Sequence, residues 1–327
     1  MPAKPLTVSV VVPSYGRPRE LGRCLEALAR IREGPDRTLV VLRPDDLVSR
    51  RSVERAPGVA VVDVHQPGHL PPLVAALRVC ETDVFAILDD DAVPRSGWLD
   101  TIRSAFADPT LMAITGPVID HVACIGPDPD LPLLERHRGR TWYRAFASMT
   151  WHGGAALPVG SRVFPIEHLS GGNVAFRREA LDHVGFDLSM NRGAAIGYEA
   201  DLALGLGKLG RVCFDTRLVV DHYPASRRGA PDRADALIAV RHSTRNLYYL
   251  AGKHFRLGEL VVFLPVMWLV GQSVSPGALR WRVQARSLGL SPWRLAACVG
   301  ADCLRGLVQG MKARLRRSAV GRHGLSW

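Results

Sequence analysis

The sequence predicts an α/β protein: a doubly wound, mostly parallel sheet followed by a C-terminal helical extension. Three observations carry that expectation. Short β-branched apolar runs alternate with helical patterns between Leu6 and Ile119, the fourth such run leads directly into three consecutive aspartates, and the positive charge gathers in the last third of the chain, where the apolar spacing turns helical.

The first run, Leu6 to Val12, ends at Pro13-Ser14-Tyr15-Gly16 and gives way to Leu21, Cys24, Leu25, Leu28 and Ile31, the spacing of an amphipathic helix. Thr38 to Leu42 and Val59 to Val64 read as the next two strands, Leu73 to Val79 as a helix, and Val84 to Leu88 as the fourth strand. Met112 to Ile119 predicts another strand, and Asp120 to Ile166, rich in Gly, Pro, His and Trp, predicts a binding loop or lid. Order returns with a strand at Asn173 to Phe176, helices at Arg178 to Val184 and Glu199 to Leu209, and short strands at Val212 to Phe214 and Leu218 to Val220. Parallel strands separated by helices place a ligand site at the carboxyl ends of the strands.

The chain has 327 residues, 47% of them hydrophobic and 22% charged, enough for one large α/β core with an extension. Its formal charge of +11 is unevenly placed: residues 1–225 hold 25 Lys/Arg against 27 Asp/Glu, residues 226–327 hold 17 against 4. We therefore expect two domains, 1–225 with the site and 226–327 as a basic amphipathic helical extension. Leu260 to Val270 is interrupted by Pro265 and is shorter than the ~17–25 residues of a spanning helix. A later segment places Leu295, Val299, Leu304, Val308, Met311 and Leu315 among Arg294, Arg305, Lys312, Arg314, Arg316 and Arg317. Such a helix suits an anionic membrane surface. The expected location is cytoplasmic, peripheral on the inner face of the cell membrane: the start, Met1 to Leu6, has no secretory pattern, and the six scattered cysteines form no Cys-x-x-Cys pair. No zinc-finger, RNP or helix-turn-helix pattern supports a nucleic-acid partner.

Three adjacent carboxylates at a strand end repel one another, and a divalent cation relieves that repulsion. Carboxylates plus substrate phosphates are a common way to hold Mg²⁺, and the ion offsets charge building on a leaving diphosphate. A dehydrogenase would carry G-x-G-x-x-G after the first strand, which is missing. A sugar nucleotidyltransferase would want a Gly-rich basic loop there, where Pro13 to Arg17 holds one glycine.

Five pieces in order, VSVVVPSYGR, VFAILDDD, LSGGNVAFRREAL, IGYEADLALGLGKLG and VVDHY, resemble the inverting glycosyltransferases of family 2, which have the GT-A fold. The resemblance covers roughly residues 6–225. It implies a nucleotide-diphosphate sugar donor, commonly a UDP-sugar, an acceptor hydroxyl on a glycan, lipid-linked or small-molecule acceptor, and Mn²⁺ or Mg²⁺ as cofactor. It implies nucleotide contacts from Pro13, Ser14, Tyr15 and Arg17, from Asp45 or Asp46, and from Asp89, with Asp90 in support. Asp91 and His222 are implied as metal ligands, Glu199 as the catalytic base and Asp201 as its supporting acid. Gly171, Gly172 and Asn173 are implied beside the donor sugar and acceptor, and Trp151, with Trp142, Tyr143 and His152, sits in the stretch where an acceptor would enter. Two departures bear on the donor: Arg43 stands where the family has an acid directly after the second strand, and Gly68 to Leu73 lacks the family's Arg and Asn.

Overall fold

The computed structural model describes residues 6–121, 163–224, 235–272 and 275–320. Trp151, Trp142, Tyr143 and His152 lie outside them. The chain divides into two compact units, Met1–Arg140, Met149–Leu188 and Leu202–Gly229 in the first, and Thr141–Ser148, Ser189–Asp201 and Ala230–Trp327 in the second.

In the first unit, β1 (Val8–Pro13), β2 (Arg37–Leu42), β3 (Val59–Asp63) and β4 (Val84–Leu88) pair in parallel in the order β3-β2-β1-β4. Helices α1 (Pro18–Ala29), α2 (Leu47–Glu54) and α3 (Leu70–Val79) connect them. Pro18 opens α1, where its missing N–H costs nothing, and Leu21, Cys24, Leu25 and Leu28 form the face that α1 buries. Asp46 caps α2 by accepting from the Ser49 amide. β5 (Ala92–Pro94) and α4 (Trp98–Phe106) follow the acidic turn, and α4 buries Trp98, Leu99, Ile102 and Phe106.

The apolar run from Met112 to Ile119, expected as one strand, is two: β6 (Leu111–Thr115) and β7 (Val118–Asp120). The break is at Gly116-Pro117, where a Cβ on Gly116 would stand 2.1 Å from the Leu218 carbonyl oxygen. Beyond β8 (Val163–Pro165), β9 (Asn173–Arg177) runs antiparallel between β4 and β6, and β10 (Arg211–Asp215) pairs parallel with β6. The described sheet has eight strands, β3-β2-β1-β4-β9-β6-β10-β8, mixed but mostly parallel. Because β9 is reversed, its amino end and the carboxyl end of β4 meet at one edge, Leu88 opposite Asn173. A second sheet of β5, β11 (Val220–His222) and β7 sits beside the acidic turn. Helix α5 (Arg178–Val184) completes the unit, and α6 (Tyr198–Leu206) carries residues of both.

The second unit is helical. Helix α7 (Ala236–His254) is capped by Asp235, whose carboxylate accepts from the Leu237 and Ile238 amides. Helix α8 (Leu257–Leu269) contains Pro265, and α9 (Trp281–Ser287) precedes α10 (Pro292–Val320). Between α8 and α9 lies a short hairpin of β12 (Gly271–Gln272) and β13 (Ser275–Pro276). α7 and α10 approach backbone to backbone through glycines: a Cβ on Gly310 would meet the Tyr249 carbonyl oxygen at 2.1 Å, and one on Gly306 the Arg245 carbonyl oxygen at 2.2 Å. Among the described residues no helix is long and apolar enough to cross a membrane.

Candidate metal and donor site

The carboxyl ends of β1, β2 and β4 and the amino end of β9 deliver most of the predicted residues of the first unit to one edge of the sheet. After β1, Ser14 Oγ donates to Asp90 Oδ2 at 2.7 Å, and Arg17 Nη1 donates to Asp90 Oδ1 at 2.9 Å and lies 3.4 Å from Asp91 Oδ2. Asp90 is thereby spent on holding the β1 loop. After β2, Asp46 uses both oxygens on backbone, one on the Ser49 amide and one on the Gly16 amide at 2.6 Å. Asp45 is the outward acid of that pair. It accepts from Tyr15 Oη at 3.4 Å and meets Arg43 Nε at 3.2 Å, while the Arg43 guanidinium lies 4.9 Å from the Tyr15 ring centre.

The turn after β4 is clamped from β9. Asp89 N donates to the Gly172 carbonyl at 3.2 Å, and a Cβ on Gly172 would stand 2.4 Å from Asp89 Oδ2, so a larger residue there would displace the Asp89 carboxylate. Asn173, expected beside the donor sugar and acceptor, has its side chain in the interior. It is 0% exposed, its Oδ1 accepts from Trp98 Nε1 at 2.9 Å, and its Nδ2 donates to the carbonyls of Leu218 (2.7 Å) and Pro117 (3.2 Å). That amide ties α4, β9 and the chain before β11 together, with both of its N–H donors and one lone pair of Oδ1 engaged.

The small sheet then brings the histidine to the acids. Register sets His222 against Ala92 on one side and Asp120 on the other. His222 Nε2 lies 3.2 Å from Asp91 Oδ1, and its Nδ1 meets Asp120 Oδ1 at 2.5 Å. Asp221, pointing to the opposite face, is held by a bidentate pair with Arg95 and by His121. Asp89, Asp91 and His222 each offer one ligand atom, all within 4.8 Å of one another.

The electrostatics show how crowded this corner is. Burial, together with the charges of Asp91 and Asp90, pushes the Asp89 carboxyl up to about 6. Burial pushes Asp90 up as well, against the opposing charge of Arg17. Burial alone would lower His222, but the hydrogen bonds to Asp91 and Asp120 outweigh it and raise the imidazole to about 9. The corner therefore retains protons where positive charge is wanted. Two hard carboxylate oxygens and one imidazole nitrogen make a donor set that Mn²⁺ or Mg²⁺ fits, and Asp120 is placed to fix the tautomer and direction of His222 from behind.

Glu199 and Asp201 belong to the second unit. Glu199, on the first turn of α6, is half-buried. Asp201 is buried and meets Lys253 Nζ at 2.7 Å and His254 Nε2 at 2.7 Å, both from the last turn of α7. Burial would raise its pKa, yet the His254 hydrogen bond and the Lys253 charge hold it below the usual carboxylate value. Asp120, Lys253 and His254 were not legible in the sequence as site residues: each acts through a partner more than fifty positions away, and no local motif marks it.

The strand order, the acidic turn after the fourth strand and the histidine on the small sheet define the GT-A type of glycosyltransferase fold. The chain belongs to the family described as "Glycosyltransferase like family 2", whose model matches residues 5–229. It is 25% identical over 252 residues to the pre-mycofactocin glycosyltransferase of Mycobacterium tuberculosis, covering 72% of this chain and 48% of that one, so it spans about half the length of the curated relatives it matches. Among solved structures it is similar to S. aureus TarS 1-349 in complex with UDP-GlcNAc (TM-score 0.60, 12% identity, 98% of this chain and 93% of that one). It is also similar to the mannosyltransferase PcManGT of Pyrobaculum calidifontis in complex with GDP-Man and Mn²⁺ (TM-score 0.53, 19% identity, 98% and 88%). At these identities the structural likeness speaks for the fold.

Proposed function

We propose that this chain transfers a sugar from a nucleotide-diphosphate donor to an acceptor hydroxyl by a single displacement that inverts the anomeric carbon. The observation that carries the proposal is the convergence of Asp89, Asp91 and His222 at the edge of a family 2 fold. Asp91 and His222 would hold the divalent ion, with Asp120 orienting His222. When bound, that ion supplies charge neutralisation for the diphosphate as it leaves. Tyr15 and Asp45 form the exposed rim that receives the base, Asp89 addresses the ribose, and Ser14, Arg17 and Asp90 brace the loop beneath. Glu199 takes the proton of the acceptor hydroxyl as its oxygen attacks, and the C–O bond to the diphosphate breaks on the opposite side. Asp201, held by Lys253 and His254, fixes the turn that carries Glu199.

The donor base is decided by assay, with UDP-GlcNAc and GDP-Man, the nucleotide sugars of the two structural neighbours, tested alongside UDP-glucose. Pre-mycofactocin, named in the curated relatives, is the first acceptor to try. For the basic extension we propose peripheral attachment to an anionic membrane, supported by its 17 Lys/Arg against 4 Asp/Glu. The test of the enzymatic reading is a thermal shift with nucleoside diphosphates with and without Mn²⁺, since a ligand that binds only the folded state raises Tm. Asp91→Ala should abolish the Mn²⁺-dependent shift, and Glu199→Gln should keep the shift while losing transfer. Full turnover in either variant overturns the assignment.

A further inference from the structure

Helices α8 and α10 carry apolar side chains on faces that packing has already left behind. At 100° per residue, the exposed residues of α8, Leu257, Val261, Val262, Trp268 and Leu269, fall on an arc of about 140° that holds Gly258 and Pro265 and no charged residue. Leu257 is 78% and Val261 65% exposed. The same helix buries Leu260, Phe263 and Met267 on the opposite side, so its core is complete without the outer face.

α10 repeats the pattern with charge added. Leu295, Val299, Gly306 and Gly310 face inward, the two glycines against the α7 backbone. Diametrically opposite, Trp293, Leu304, Val308, Met311 and Leu315 lie within an arc of about 60°, with Trp293 83% and Leu315 69% exposed. Arg294, Arg305, Lys312 and Arg316 form a row along one side of that stripe, and Arg314 lies on the other.

We propose that these two outer faces insert into the interfacial layer of an anionic bilayer, so that attachment rests on buried apolar side chains and not on charge alone. This deepens the membrane reading given above and depends on it. An apolar stripe bordered by a row of Arg and Lys is the arrangement in which side chains enter the acyl boundary while the cations reach the headgroups. The same charge argues against a second copy as the occupant, because two basic faces would repel each other on contact. Trp293 and Trp268 lie at the ends of the two stripes, and indoles favour the level of the headgroups.

The test uses the full chain with vesicles of phosphatidylcholine alone and with 30% phosphatidylglycerol (about a third anionic lipid, enough for a strong negative surface). The expected results are co-flotation with the anionic vesicles that survives transfer to high salt, and quenching of tryptophan emission by lipids brominated in the acyl chain. Trp268→Phe/Trp293→Phe should remove most of that quenching. Leu304→Glu/Leu315→Glu and Val261→Glu should each weaken vesicle partitioning by about tenfold or more with unchanged melting, since these positions are exposed. Flotation that vanishes in salt, without quenching, overturns insertion while leaving charge-driven attachment in place. No flotation under any condition overturns both. A concentration-dependent dimer dissolved by Leu304→Glu, in place of vesicle binding, gives the face to a second copy and also overturns the proposal. Mn²⁺-dependent nucleotide binding is a separate measurement, so failure here is distinguishable from failure of the transferase reading.

Discussion

Replacing Lys253 by Met should destabilise the protein by about 3–5 kcal/mol, the cost of leaving a buried carboxylate without its charge partner. The figure rests on the burial of the pair: the Lys253 and Asp201 side chains are 1% and 2% exposed, and their charged atoms lie 2.7 Å apart. Screening by water is excluded at that depth, and His254 alone must then satisfy Asp201. Asp201→Leu combined with Lys253→Met removes both charges and should restore most of the loss, because the pair's desolvation penalty disappears with its attraction. Urea unfolding is the assay. With a slope of about 3 kcal/mol/M, Lys253→Met lowers the midpoint by on the order of 1 M or more, and the double variant returns toward wild type. The pH dependence has a definite sign. The folded-state pKa of Asp201 is depressed, so its contribution is fully present above the unfolded value near 3.8 and is lost as pH falls through the lower folded value. In Lys253→Met, without the Lys253 charge, Asp201 takes up its proton at a higher pH than in wild type, so the gap should narrow as pH falls from that raised value and be closed below the depressed wild-type one. A Lys253→Met protein within 1 kcal/mol of wild type at neutral pH (below the ~3–5 expected for a broken buried pair) would refute the reasoning.

Three other outcomes follow from the first unit. Asp120→Asn should weaken Mn²⁺ binding about 10–100-fold, because Asp120 acts on the ion through His222; calorimetric titration reads it, and unchanged affinity counts against the role. Mn²⁺ binding at pH 7 should release about one proton per ion, because His222 titrates near 9 and must give up the Nε2 proton to ligate. Heats measured in buffers of different ionisation enthalpy report that number, which should fall as pH rises through 9. Gly172→Ala forces a methyl to 2.4 Å from Asp89 Oδ2 and should cost about 1–3 kcal/mol together with nucleotide affinity; a fully active Gly172→Ala protein removes Gly172 from the site.

The fold was legible where a strand's apolar run and its flanking turn signals agreed, as at Leu6 to Val12 and Val84 to Leu88. Strand direction was not. The run Asn173 to Phe176 contains only side chains that suit a buried strand, and nothing in it says that β9 lies antiparallel between β4 and β6. Yet that reversal places Gly172 against Asp89. The missed break in Met112 to Ile119 is different, since Gly116-Pro117 is a turn signal within the sequence. Apolarity on both sides masked it, because β7 is as apolar as β6 at its start but pairs with β11. Contiguous site residues such as Asp89 to Asp91 announce themselves by mutual repulsion, whereas Asp120 looks like any acid at the end of a strand. The partners of Asn173 were equally hidden: the Trp98 indole and the carbonyls of Pro117 and Leu218, which hold its amide inside, lie 45 or more positions away along the chain.

The C-terminal helix shows how far spacing can be pressed. Leu295, Val299, Leu304, Val308, Met311 and Leu315 read along the chain as one amphipathic row at steps of mostly three to five. At 100° per residue, however, the nine positions from Leu295 to Leu304 amount to half a turn beyond whole turns, so the two leucines must point in opposite directions. The structure follows that arithmetic, with Leu295 at 0% and Leu304 at 65% exposure. A helix apolar on two opposed faces needs two partners. α7 supplies the first through Gly306 and Gly310, and the outer stripe with its border of arginines is what remains for the second.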